Sequence, residues 1–194
     1  MGTLIQLVLA NITVTLLVVG VLAAGLAIAL KRGPVTQGRV AEALLAYFVL
    51  CSIGIGYLYN FVVHAFFGEM VARFIGWADS PFQLEVAYAS LGFAAVGFFA
   101  FKNTLAVRVA AILGPSLFLW GAAGGHIYQM VTAANFAPGN AGSVLYTDIL
   151  LPVIGFTLLW FKWQADSKLA RPSSSRPRVV GTWLQRLCCP NSFT

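Results

Sequence analysis

Charge is what this sequence has least of. Only 9% of its 194 residues are Asp, Glu, Lys or Arg, where an ordinary soluble domain carries about 25%. So few charges cannot cover a folded surface with wetted side chains, which excludes a soluble globular class. Cysteine is nearly as scarce. There are three, and two are adjacent, Cys188 and Cys189, so a disulfide framework is excluded. The familiar chemical signatures are missing too: there is no P-loop, HExxH, CxxC, GxSxG or dinucleotide-type GxGxxG. No internal repeat is visible.

What is there is apolar sequence in long runs, 59% hydrophobic overall. A helix needs about 20 largely apolar residues to cross a bilayer. Five stretches qualify, at about Leu4 to Leu30, Ala43 to Phe67, Phe82 to Phe101, Val107 to Val131 and Thr147 to Trp163. The runs are continuous rather than alternating, which argues against a β-barrel. The expected fold is an all-α integral membrane bundle of five transmembrane helices spanning 1–165. A basic, flexible cytoplasmic tail is expected over 166–194. The first run is long and has no basic residue before it, unlike a cleaved signal peptide.

The basic residues orient the bundle. With five spans, eleven of the twelve fall on one side, among them Lys31, Arg32, Arg39, Lys102 and Arg108, and the other side holds Arg73. The positive-inside rule then puts the N-terminus outside and the C-terminus in the cytoplasm, in the cell (inner) membrane. The net charge of +6 is therefore a topology signal with the lipid bilayer as partner, and nucleic acid is not expected. The outer stretch "GEMVARFIGWADSP" (68–81) has apolar residues at helical spacing and predicts an interfacial helix with Trp77 as anchor. "ANFAPGNAGSV" (134–144) reads as a turn-rich loop. After the basic linker "RPSSSRPR", Trp183, Leu184 and Leu187 are expected to touch the membrane surface.

The few titratable groups inside the spans fall mostly in one layer. His64, Glu85, His126 and Asp148 come from four different spans. At about 1.5 Å per residue they lie within roughly one turn of depth, near the outer side. Intramembrane ionisable groups are costly and mark functional sites, so all four are expected to face inward and Glu85 to meet His64, His126 or Asp148. Tyr57, Asn60 and His64 form a stripe on one face of the second span. Tyr88 stands three residues from Glu85, and Gln129 three from His126. Gly121 with Gly125, Ser90 with Ala94, and Gly20 with Ala24 offer faces for close helix approach. Pro115 and Pro152 predict kinks.

Two imidazoles and two carboxylates suit a divalent metal, iron, zinc or manganese. His64, Glu85, His126 and Asp148 would be ligands, with Tyr57, Asn60, Tyr88 and Gln129 around them; haem between the histidines is the variant. That reading makes the protein a small membrane enzyme. Two others stand beside it: an accessory or assembly subunit of a larger membrane complex, or homo-oligomer, and a proton, cation or solute transporter. The residues alone leave open whether it is an enzyme.

The stretches "SPFQLEVAYASLGF", "GGHIYQM" and "APGNAG…YTDILLP" carry a resemblance. They are similar to an uncharacterised family of small bacterial and archaeal multi-pass membrane proteins, over roughly residues 45–160. His64, Phe82, Gln83, Glu85, Gly125, His126, Gly139, Asn140, Gly142, Asp148 and Pro152 fall on its pattern. The resemblance implies a multi-pass fold and supplies no activity.

Overall fold

The computed structural model describes residues 11–170. Its elements are α1 (Ile12–Leu30), α2 (Gln37–Phe48), a π-helical segment (Val49–Ile55), α3 (Gly56–Phe66), α4 (Gly68–Ile75), α5 (Phe82–Ala100), α6 (Leu105–Ala133), α7 (Pro138–Ala141) and α8 (Ser143–Ala170). No strand occurs among the described residues. Helix α2, the π segment and α3 run on as one rod, Gln37–Phe66, so five helices are long and apolar enough to cross a membrane. This is the architecture of a multi-pass membrane protein. Large apolar side chains such as Leu22, Leu26, Phe99 and Leu117 stay exposed on the bundle's outer face, as a surface solvated by lipid requires.

Two boundaries differ from expectation for local reasons. The second span starts before its apolar run, because the Thr36 side chain accepts the Arg39 amide and caps a polar first turn, "QGR". The fifth span, expected to be short, is 28 residues long. An i,i+4 pair, Lys162 Nζ to both Asp166 oxygens at 2.7 and 2.9 Å, lies in its last two and a half turns. At about 1.5 Å per residue, α8 is roughly 42 Å long, more than a bilayer core, so it tilts or projects. Cys188, Cys189, Trp183, Leu184 and Leu187 lie outside the described residues.

The second span is central. Half of its apolar window is buried within the bundle, against 11% for α1. It packs on α1, α5, α6 and α8. The largest closed side chains, Leu45, Val49 and Ile112, form the middle of the core together with Phe48 and Leu151. Small residues set the closest crossings. Ser90, Ala94 and Gly97 are buried along α5. A Cβ on Gly97 would come within 2.6 Å of the Gly54 nitrogen, so only glycine allows this approach. Gly20 and Ala24 are likewise buried, Gly20 beside the Tyr47 carbonyl. The expectation for α6 needs correction: Gly121 has open space around it, and Gly125 meets the Trp77 ring rather than a neighbouring spanning helix.

The π segment, Val49–Ile55, has no counterpart in the sequence pattern. Its "VLCSIGI" is apolar and periodic enough to read as ordinary helix. The Gly56 amide instead reaches back five residues to the Cys51 carbonyl. Such an insertion rotates everything beyond it relative to a regular helix.

Candidate functional site

One end of the bundle is closed by a cap. Helix α4 ends where Gly76 turns left-handed at φ 76°, a conformation that glycine takes without strain. The chain then throws Trp77 back over the end of α6. Helix α6 itself stops at Ala134, with φ 50°, and the return segment carries Asn135 and α7. The Asn135 Nδ2 donates to the Ile75 and Gly76 carbonyls, both at 3.1 Å. Gly139 lies so close to Phe74 that a Cβ would meet it at 2.6 Å. These contacts pin α4 and its following loop to α7.

Asn140 is the centre of the cap and is fully buried. Its Nδ2 donates to the His126 and Asn135 carbonyl oxygens at 3.1 and 2.9 Å. Its Oδ1 accepts the Trp77 indole N–H at 2.8 Å. Carbonyls only accept and an indole only donates, so the amide is oriented one way. The same Oδ1 lies 2.8 Å from His126 Nδ1. An amide oxygen has no proton to give, so Nδ1 carries it. Trp77 also packs against the imidazole, ring centres 5.3 Å apart.

The other imidazole nitrogen faces a carboxylate. His126 Nε2 stands 3.6 Å from Asp148 Oδ2, with the two side chains 6% and 8% exposed. Asp148 comes from the second turn of α8. Its neighbour Thr147 ties that turn to α1 through Thr13, 3.1 Å between hydroxyls. Tyr57 donates its hydroxyl to the Pro115 carbonyl at 3.2 Å.

The four expected ligands therefore divide. His126 and Asp148 are together. His64 is half-buried on α3, its Nδ1 bonded to Gln83 Oε1, while Gln83 Nε2 donates to the Gly68 carbonyl at 3.3 Å. Glu85 is exposed, which corrects the expectation that it turns inward. Gln83 occupies the position on α5 that faces α3, and Glu85, two residues on, points about 200° away. Its place in the first turn of α5 lets the helix dipole and the interface stabilise the charge. Among the described residues no three His, Cys, Asp or Glu side chains are gathered as a metal ion requires. The stripe on span two does face inward, but its members find separate partners: Asn60 donates to Ser90 Oγ at 2.8 Å, Tyr57 to Pro115, His64 to Gln83. Tyr88 is exposed and Gln129 half-buried; among the described residues neither hydrogen-bonds to the pair through its side chain.

A second polar cluster closes the opposite end. The Arg108 side chain is 3% exposed and pairs with Glu42 at 2.8 Å. It also donates to the Ala100 and Phe101 carbonyls at the end of α5, where a cation suits the dipole. Lys162 reaches Glu42 at 3.4 Å and Asp166 at 2.7 Å. Arg39 similarly covers the carbonyls that end α1, Ile28 at 2.6 Å among them. Sequence reasoning treated Arg39 and Arg108 only as topology charges. From the sequence Trp77 reads as an interface anchor, and Asn140 as a loop residue that falls on the family pattern without a role. The available signal for Asn140 was its place in "GNAG", between glycines that permit close approach.

Comparison with known proteins adds a family and no activity. No curated protein and no solved structure matches the chain. The model of a family of unknown function, DUF6790, matches residues 10–168, and the chain belongs to that family.

Proposed function

We propose that this protein is a five-span protein of the cell (inner) membrane that exchanges a proton with one aqueous side through the His126–Asp148 pair. The observation that carries the reading is the fixed imidazole. With Nδ1 protonated, a neutral His126 turns a lone pair toward the buried carboxylate 3.6 Å away. Two acceptors facing each other in a dry site repel, so the pair is stable holding one proton between them. One-sidedness follows from packing. Between this end and the Arg108 end the bundle is filled by Leu45, Val49, Phe48 and Ile112, which favours a site open to one side over a through-going path.

Two donors are too few for a tight metal centre, and His64 and Glu85 have other environments. The proton reading is therefore preferred to a metal-dependent enzyme. The orientation proposed is N-terminus outside, with the His126 end outside, from the placement of the basic residues.

Nitrogen-15 NMR of the histidines in detergent-solubilised full-length protein tests the reading, with His64→Asn used to assign the two rings. His126 Nδ1 is expected to stay protonated while Nε2 changes state with pH, and the change should vanish in Asp148→Asn. An Nε2 signal that does not respond to pH wherever the protein stays folded refutes it. A reporter placed at Gly139 should behave as external; cytoplasmic behaviour refutes the orientation.

A further inference from the structure

The clamp that fixes His126 also makes the cap sensitive to the shared proton. If the pair loses it, the Nε2 lone pair meets a full carboxylate. The ordinary relief would be the other tautomer, with the proton on Nε2 directed at Asp148. That move bares a lone pair on Nδ1 against Asn140 Oδ1, 2.8 Å away. Asn140 has no cheap way to adapt. Turning its amide would aim the NH2 at the indole N–H of Trp77 and the oxygen at the His126 and Asn135 carbonyls, reversing three bonds of 2.8, 3.1 and 2.9 Å at a fully buried residue. An unmade buried hydrogen bond costs far more than a made one contributes. Either route breaks the junction of Trp77, Asn140 and His126.

We infer that the cap is proton-gated: Trp77 and Asn140 hold the His126 end closed while the pair keeps its proton, and release it when the proton leaves. The inference rests on the proton-exchange reading above and supplies the regulation of that same site. The sign follows from which state holds the proton. The closed cap binds one more proton than the open one, so it is favoured at low pH and lost as pH rises and that proton leaves.

Other groups around the pair are accounted for. Asp148 comes from α8. Tyr57 from α3 is engaged with the Pro115 carbonyl. Helix α1 brings the Thr13 hydroxyl, bonded to Thr147. On α4, Glu69 and Arg73 pair with each other, both largely exposed. What opens is also defined. The Trp77 ring lies over Gly125, 3.1 Å from where a Cβ would stand, and its departure uncovers the imidazole.

The test is hydrogen exchange of the Trp77 indole N–H in the full-length protein in detergent, with the signal assigned by Trp77→Phe. Beyond the intrinsic pH dependence of exchange, protection is expected to fall by roughly tenfold or more, the scale of a local opening, as the pair deprotonates. Asp148→Asn offers an amide N–H to Nε2 at every pH, so its Trp77 should stay protected throughout. Loss of protection in Asp148→Asn with the parent's pH dependence overturns the inference. A parent measurement decides even if that variant does not fold. If His126 Nε2 titrates and Trp77 protection does not follow, the gate is wrong and proton exchange stands; if Nε2 never titrates, both fail.

Discussion

Replacing Asn140 with alanine removes four hydrogen bonds at one fully buried position: two donated to the His126 and Asn135 carbonyls, two accepted from Trp77 Nε1 and His126 Nδ1. A typical net contribution is about 0.5–1.5 kcal/mol per bond, so the four together are worth roughly 2–6 kcal/mol. The upper end assumes that every abandoned partner stays dry. Trp77 is 38% exposed, so its N–H can turn to water, whereas the His126 side cannot. The expected loss is therefore about 3–4 kcal/mol, a large part of the 5–15 kcal/mol typical of a folded domain. Asn140→Asp discriminates the cause. It keeps both acceptor contacts but sets a carboxylate against two carbonyls, and should be at least as damaging. Reversible unfolding in mixed micelles, followed by circular dichroism, measures both variants. A loss below about 1 kcal/mol for Asn140→Ala would refute the reading of this residue as the centre of the cap.

Two further perturbations address the bundle itself. Gly97→Ala drives a methyl group into the Gly54 backbone and should cost about 1–3 kcal/mol, while Gly121→Ala, with nothing within 4 Å, should be neutral or slightly stabilising; equal unfolding midpoints for the two would contradict the α5 crossing. Arg108→Met strips the buried cation from Glu42 and from the end of α5. Because Glu42 is 45% exposed and can rehydrate, a loss of about 2–3 kcal/mol is expected rather than the 3–5 of a fully buried pair, and an unchanged midpoint would contradict it.

Much of the architecture is legible in one dimension. Span count and span order follow from apolar length, since a bilayer imposes a minimum run on every crossing. The amphipathic stretch at 68–81 was visible in its spacing and became α4. A shared depth for His64, Glu85, His126 and Asp148 is what counting residues within each span predicts. Counting goes no further than such an expectation of depth. It does not supply rotation, because the side that a residue faces depends on which neighbour its helix meets. On α5 the choice between Gln83 and Glu85 is a matter of about 200° of helix rotation, and packing against α3 decided it for Gln83.

The sequence by itself determined the membrane class and the five helices, because these are properties of composition and of distance along the chain. Only the tertiary structure decided that Trp77 and Asn140, 63 positions apart, close over His126, that Asp148 is its partner and Glu85 is not, and that Arg108 turns inward to Glu42. Those outcomes depend on helix rotation and on loops that fold back over a helix end. None of these leaves a periodic mark in the sequence, since a hydrogen bond between distant loops is selected by the positions of its two ends in space.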